Sequence, residues 1–225
     1  MKYQIVASIA VFSLFSAAIV AFGADAPQTL TPNEYEARGS EHFIAGRFVE
    51  SVADFDAEIK LNPPRSPWHW KRGISLYYVG RYADGAKQFE GYQTVDGNDV
   101  ENAVWRFLCQ ARDPQVGLDK ARRGILTIKD DRRVPMMQIY ALYKGDLKPE
   151  DVMQAVRADD PPSAVLEHRL FYAHLYLGLY YEVLGDAVQA KQHMEEAERR
   201  TIEHYMGDVA KVHADLLRTN AAKAN

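Results

Sequence analysis

The chain has 225 residues, of which 47% are hydrophobic and 26% are charged, and its formal net charge is −4. A chain of this length can bury the core of one globular domain, and its ordinary glycine, proline and aromatic contents exclude a collagen-like or disordered protein. The basic residues are scattered, which argues against a nucleic-acid-binding protein. The single cysteine, Cys109, permits neither an intramolecular disulfide nor a four-cysteine zinc site.

Residues 1–23 have the pattern of an export signal. Lys2 gives a short cationic head, an apolar run follows from Ile5 to Phe22, and small residues at Ala21 and Gly23 precede Ala24. This order predicts a cleaved signal peptide, and the alternative is an uncleaved signal anchor, the one route by which this chain would contact a membrane. Residues 24–31 are predicted to be a flexible lead-in. An exported chain without disulfides indicates a bacterial periplasm or cell envelope.

The next part of the chain contains an internal repeat. The segment RGSEHFIAGRFVESVADFD, which begins at Arg38, matches RGISLYYVGRYADGAKQFE, which begins 34 residues later at Arg72. Two helices in a 34-residue period are typical of the tetratricopeptide repeat (TPR). The chain therefore resembles a TPR protein.

Glycines and aromatic residues recur at equivalent positions of the two copies. Small residues at Gly39 and Gly73 allow the two helices of a pair to cross closely. Glycines at the following turns, Gly46 and Gly80, can end the first helix in the left-handed conformation. On the second helix, Phe55 and Phe89 are predicted to lie on the buried face.

A third copy is predicted near the C-terminus, with Gly178 and Gly185 at the two glycine positions. The region between the second and third copies is out of phase with the repeat and is predicted to be irregular and helical. We expect an all-α fold, a short superhelix of TPR helix pairs in one domain over residues 32–220. Its predicted parts are repeats at about 32–65, 66–99 and 171–204, a degenerate helical region at 100–160, with short helices at 101–112, 114–124, 134–143 and from 149 to about 156, and a capping helix at 201–218.

Three further stretches resemble the NlpI family of bacterial envelope proteins. They are AVWRFLC (103–109), LYKGDLKPEDVM (142–153) and FYAHLYLGLYYEVLGD (171–186). This resemblance implies an exported helical scaffold that brings envelope proteins together, for example cell-wall hydrolases and a periplasmic protease. NlpI proteins are lipid-anchored, and this chain has no cysteine for lipid attachment, so the resemblance implies a soluble periplasmic relative.

No catalytic, metal-binding or cofactor-binding motif is recognisable. The sequence lacks HExxH, CxxC, GxSxG, GxGxxG and the phosphate-binding GxxxxGK[ST] pattern. Cys109 stands among apolar residues and is predicted to be a small buried side chain. The charge run from Asp130 to Arg133 is predicted to be a solvated loop.

The resemblance to TPR proteins implies a concave groove lined by the first helix of each pair. Its aromatic and charged composition is typical of a surface that binds a peptide or protein partner. The alternative is that Trp70, Tyr77 and Tyr78 pack against the middle helices and close the groove. The predicted groove residues are Glu36, Ser40, Phe43, Arg65, Trp70, Ile74, Tyr77, Tyr78, Leu179 and Glu182.

The sequence therefore favours an exported, non-catalytic scaffold or adaptor without a cofactor, whose partner it does not identify. One alternative is a peptidoglycan- or carbohydrate-acting enzyme that uses Glu36 and Glu182 as its carboxylate pair. Another is a self-assembling structural protein, for example a homodimer.

Overall fold

A computed structural model describes residues 30–200 and 202–224, so the predicted export signal and most of the lead-in lie outside the described residues. The described residues form helices and connecting loops with no strand, which confirms the all-α prediction. The helices are α1 (Pro32–Ile44), α2 (Phe48–Leu61), α3 (Trp70–Tyr78), α4 (Tyr82–Tyr92), α5 (Val100–Arg112), α6 (Leu118–Arg123), α7 (Met136–Lys144), α8 (Pro149–Ala155), α9 (Ser163–Val183), α10 (Ala187–Glu198) and α11 (Tyr205–Ala224), with a 3-10 helix over Pro63–Trp68.

The first two helix pairs, α1–α2 and α3–α4, begin and end at residues with clear local reasons. Thr31 and Glu34 form a capping box at the start of α1, and Pro32 occupies the first turn. Helix α2 ends at Asn62 because Pro63 cannot continue it. Gly46 and Gly80 have φ angles of +73° and +75°, the left-handed conformation that turns the chain into the second helix of each pair.

Close contact between the helices of a pair depends on a glycine opposite a ring. A Cβ atom placed on Gly39 would lie 2.7 Å from the Phe55 ring, and one on Gly73 would lie 2.6 Å from the Phe89 ring. Both phenylalanines are buried. Any larger residue at either glycine would therefore push apart two packed helices.

The middle of the chain, α5 to α8, packs onto the second helix pair through α5. Helix α5 contacts α4, α6, α7 and α9, and Val104, Phe107 and Leu108 have no exposed surface. The short helices predicted from glycine and proline positions are present: α7 ends at Gly145 in the left-handed conformation, and Pro149 begins α8. The α6 helix is shorter than the predicted 114–124 and begins only after Gly117.

The C-terminal part consists of α9, α10 and α11. Helix α9 is central, because the ten consecutive residues from Leu170 to Leu179 are all buried. Helix α11 packs along α10 and also reaches α1, so it lies between the two ends of the helical array. Among the residues described, none of the helices combines the length and apolar character needed to cross a bilayer.

Candidate functional site

Several predicted groove residues on α1, α3 and α9 lie in the protein core. Phe43, Ile74 and Leu179 have no exposed surface, and Tyr77 retains 5%. These four side chains are therefore core residues in this structure, which corrects the prediction that they face a partner. For two of them the covering side chains are clear: Tyr205 of α11 packs on Phe43, and Trp105 of α5 packs on Tyr77.

Helix α11 packs against three aromatic residues of the first two helix pairs, Phe43, Trp70 and Tyr78. The Tyr205 ring lies 5.3 Å from the rings of both Phe43 and Trp70. The Tyr78 hydroxyl lies 2.9 Å from Nδ1 of His213, which is also on α11. The predicted capping helix thus does more than cover α10, because it occupies much of the space that the groove residues were expected to leave open.

A polar cluster around Glu182 joins α3, α5, α9 and α11. Its carboxylate lies 2.7 Å from Arg112 and 3.2 Å from His213 Nε2, and Tyr77 donates to it at 3.5 Å. Burial alone would raise the pKa of Glu182, but His213 and Arg112 outweigh burial and lower this pKa to about 2. Tyr77 also packs edge-on against Trp105 of α5, with ring centres 5.5 Å apart. Glu182 is therefore part of the contacts that hold α11 in place.

The two carboxylates of the enzyme alternative belong to different clusters. Glu36 is paired with Arg65 and Lys71, each at 3.0 Å, and none of these residues contacts Glu182. Although burial opposes the change, Lys71 and Arg65 lower the pKa of Glu36. A general acid needs a carboxyl group that keeps its proton near neutral pH, so neither Glu36 nor Glu182 suits that role.

One part of the predicted groove stays open, and we call it the Trp70 cleft. It consists of two adjoining cavities of about 170 and 210 Å³ that share Trp70 and Tyr92 in their walls. We call the smaller one the inner cavity and the larger one the outer cavity. Of the predicted groove residues, Glu36, Arg65 and Trp70 line this cleft.

The inner cavity combines aromatic walls with charged groups from α5. Trp70, Phe89, Tyr92 and Trp105 supply the rings. The first turns of α5 supply the polar side of the cavity because Asp99 caps this helix, accepting a hydrogen bond from the backbone N–H of Glu101 at 3.0 Å.

Along α5, spacings of three and four residues place further functional groups beside one another. These are Glu101, Asn102 and Trp105, and all three line the inner cavity. The start of α5 therefore presents two acidic groups, an amide and an indole to one space.

Arg133 holds the acidic groups of the inner cavity together. Its guanidinium donates to Asp99 and Glu101, both at 2.7 Å, and to Asp131 at 2.6 Å. Burial raises the pKa of Glu101 to about 7, and the charge of Asp99 adds to this rise against the opposing effect of Arg133. Burial also raises the pKa of Asp99. One guanidinium thus faces three carboxylates, so the surroundings of the cavity are electronegative.

Two buried polar atoms beside the inner cavity have no hydrogen-bond partner among the described residues. They are the indole Nε1 of Trp105 and the amide oxygen of Asn102. The two residues are only 2% and 3% exposed. A buried donor or acceptor without a partner costs free energy, so a ligand or ordered water that satisfies these atoms would stabilise this region.

The outer cavity is the more exposed part of the Trp70 cleft. It is lined by the ion pairs of Glu36 with Arg65 and Lys71, and by Trp68, which is 51% exposed. The Trp68 ring lies edge-on to Tyr92 at 6.3 Å. This cavity offers an exposed indole next to charged groups of both signs.

The remaining predicted groove residue, Ser40, contributes to the outer end of the cleft only indirectly. Its hydroxyl donates to the backbone oxygen of Glu36 at 2.9 Å and lies 3.5 Å from Lys71 Nζ. It therefore helps to position the ion pair that lines the outer cavity.

Sequence reasoning missed most of the inner cavity. Asp130 and Arg132 are exposed as predicted for a solvated loop, but the Asp131 side chain is only 5% exposed and Arg133 is fully paired. The loop prediction is therefore wrong for Asp131, which accepts a hydrogen bond from the first backbone N–H of α5, whereas Arg133 is about half exposed and pairs with the acidic groups at the cap of this helix. Trp105 lies in the AVWRFLC stretch (103–109) that the sequence analysis singled out. A tryptophan in that helix was the one sequence signal that could have located the cavity.

Neither Cys109 nor a cluster of metal ligands forms a second chemical centre in the described part of the chain. Cys109 has no exposed surface, and burial raises the pKa of its thiol far above the ordinary value, so it is a packing residue. No group of three or more histidine, cysteine or acidic side chains is placed to hold a metal ion within the described ranges. No protein-family model matches the chain.

Proposed function

We propose that this chain is a non-catalytic TPR scaffold of the bacterial cell envelope that binds a peptide segment of a partner protein in the Trp70 cleft. The observation that carries the proposal is the cleft itself. It lies on the predicted groove side, it is open, and its walls combine tryptophan and tyrosine rings with arginine, the residues that dominate binding hot spots.

The geometry of the three helix pairs supports the TPR part of the proposal. In α9–α10, a Cβ atom on Gly178 would lie 2.9 Å from Met194, which repeats the glycine-to-ring contacts of α1–α2 and α3–α4 with a different partner side chain. Gly185 has a φ of +82°, like the corresponding glycines of the first two pairs. Three units with the same two glycine roles are consistent with a TPR array, which needs at least three repeats to be stable.

The narrower proposal is an adaptor that is similar to NlpI in bringing cell-wall hydrolases or proteases to a partner. It is supported by the three stretches that resemble that family and by the signal-like N-terminal segment, which also supports a periplasmic location. The absence of a lipid-attachment cysteine favours a soluble form. In this proposal the partner is a protein, and the cleft contacts only a short part of it.

Site-specific photo-crosslinking tests the proposed function. A benzophenone amino acid is introduced at Trp68, which is exposed in the outer cavity, and in a control protein at Val188, which is 74% exposed on α10. In envelope extracts we expect a discrete adduct from position 68 that excess unlabelled protein abolishes, and none from position 188. An adduct with a second copy of the chain would favour the self-assembly alternative. Equal labelling at both positions, or none at either, would contradict the proposal.

A further inference from the structure

We propose that the inner cavity of the Trp70 cleft binds the cationic end of a lysine or arginine side chain of the partner segment. This inference rests on the proposed peptide-binding function and names the chemical group that the inner cavity binds. Four features of the cavity point to a cation: its charge, its rings, its unpartnered amide oxygen and its size.

The charge around the inner cavity is the first argument. Asp99, Glu101 and Asp131 all converge on Arg133, which leaves an excess of negative charge next to the cavity. In this arrangement Asp99 uses only Oδ1, for the guanidinium and for the helix cap, and its Oδ2 accepts no hydrogen bond from the described residues. An entering cation would find a carboxylate oxygen that Arg133, itself part of the cavity wall, does not occupy.

The aromatic walls are the second argument. Trp70, Tyr92 and Trp105 surround the same space as the carboxylates. The faces of such rings attract ammonium and guanidinium groups, and the attraction is stronger where water is excluded. The same walls can pack against the methylene groups of a long cationic side chain. Rings and carboxylates together therefore suit lysine or arginine better than a small inorganic cation.

The unpartnered buried atoms are the third argument. The amide oxygen of Asn102 is an acceptor without a donor, and an ammonium group brings three donors and no acceptor. The indole N–H of Trp105 is a donor and does not distinguish a cation from a neutral group, so Asn102 alone carries this argument.

The size of the cavity is the fourth argument. Its volume is about 170 Å³. The butylammonium group of lysine occupies roughly 100 Å³, a little over three times the ~30 Å³ of one water in the liquid. The side chain fits with room for a bridging water. A nearby cation would also favour the charged form of Glu101, whose pKa burial raises to about 7.

Indole N–H resonances in a ¹⁵N-correlated spectrum test the proposal directly, because the chain has three tryptophans and two of them line the inner cavity. The protein is titrated with Nα-acetyl-lysine methylamide and, as a neutral match, with Nα-acetyl-norleucine methylamide. We expect the Trp105 and Trp70 signals to shift with the lysine compound at about tenfold lower concentration than with the norleucine compound. The arginine analogue distinguishes guanidinium from ammonium as the preferred cation.

Two matched variants tie the shift to the cavity. Asp99→Asn keeps the cap of α5 and removes the charge, and we expect it to abolish the preference for lysine over norleucine. Asp186→Asn makes the same change at the cap of α10, away from the cleft, and we expect it to keep the preference. The spectra themselves report whether each variant is folded.

Every other result would overturn the cation site. Equal shifts with lysine and norleucine would show an apolar cavity, and shifts with N-acetylglucosamine but not lysine would show a carbohydrate site. Loss of the preference in Asp186→Asn as well would show an effect of overall charge. A specific adduct at position 68 without any preference for lysine would overturn the cation site and leave the proposed function standing.

Discussion

At the scale of single residues, Glu101 is the carboxylate of the inner cavity whose charged form the fold destabilises. Its carboxylate accepts hydrogen bonds from Arg133 at 2.7 Å and from Tyr176 at 2.5 Å, yet burial and Asp99 still raise its pKa to about 7. A binding site keeps such a group only at a cost to stability, and that cost appears as a dependence on pH.

Glu101 should make the protein less stable as pH rises through neutrality. Its proton is held more tightly in the folded protein, with a pKa of about 7, than in the unfolded chain, with a pKa near 4.5. The stabilisation from this proton is complete below about pH 4.5 and is lost as pH rises to 7 and above. When the pH rises from 5 to 8, the free energy of unfolding should fall in both proteins. We expect the fall to be about 2 kcal/mol larger in the unchanged protein than in Glu101→Gln.

Urea unfolding at pH 5, 6.5 and 8, followed by circular dichroism, measures this difference. Glu150→Gln, a change at an exposed carboxylate on α8, serves as the control and should run parallel to the unchanged protein. If Glu101→Gln also runs parallel to the unchanged protein, the group is not destabilised in the way that we infer.

Gly73 is the second residue whose replacement has a definite expected cost. A methyl group here would lie 2.6 Å from the Phe89 ring, which is 1% exposed and packed on Trp105. We expect Gly73→Ala to lower the free energy of unfolding by about 1–3 kcal/mol. Leucine at position 89 is smaller than phenylalanine and leaves room for the new methyl group. In a double-mutant cycle, Gly73→Ala should therefore cost less in the Phe89→Leu background than in the unchanged protein. Urea unfolding checks both, and Gly97→Ala, where the nearest atom is at an ordinary 3.7 Å, should change little.

At the scale of elements, local signals in the sequence predict the helices well. Proline and glycine positions located the ends of α2, α7 and α8 because those residues act on their own backbone. Apolar periodicity located α5 at 101–112, within one residue of its observed start. These signals act within a few residues of the chain, so they can be interpreted without knowledge of the tertiary structure.

The packing of α11 against the groove residues could not be predicted in the same way. Tyr78 and His213 are 135 residues apart, and Tyr77 and Glu182 are 105 apart. No local pattern reports such a contact. The same holds for Arg133, more than 30 residues from its partners Asp99 and Glu101, because an isolated charge in a loop carries no periodicity that identifies its ion-pair partners.

Tyr205 is the residue whose loss should loosen α11 selectively. Its ring packs against both Phe43 and Trp70 at the start of the helix. In Tyr205→Ala we expect hydrogen exchange to become at least about tenfold faster along α11 and to stay nearly unchanged along the central α9, because helices without tertiary contacts open locally. Mass spectrometry of peptides from both helices measures this. Asn220→Ala, at an exposed position of the same helix, should leave α11 protected, and equal acceleration in α9 would contradict a local effect.

At the scale of the whole molecule, α11 connects parts of the chain that are distant in sequence. The helix pairs contact their neighbours in chain order, as in an open array, but α11 touches α1 as well as α10. The Glu182 cluster adds contacts from α3 and α5 to this junction. The array is therefore closed by α11, and the Trp70 cleft is a part of the predicted groove that this helix borders through Met206 but does not fill.

Removal of residues 205–225 should open the array without abolishing its helices. Phe43 and Tyr78 would lose their cover, since Tyr205 and His213 supply it. We expect the truncated protein to have a larger radius of gyration by small-angle X-ray scattering, to bind the apolar dye ANS, and to keep its helical circular dichroism, because each helix pair has its own internal contacts. Tyr205→Ala should move both readouts in the same direction, to a smaller extent, in a chain of full length. An unchanged radius and no dye binding in both proteins would mean that the helix pairs hold the closed shape by themselves.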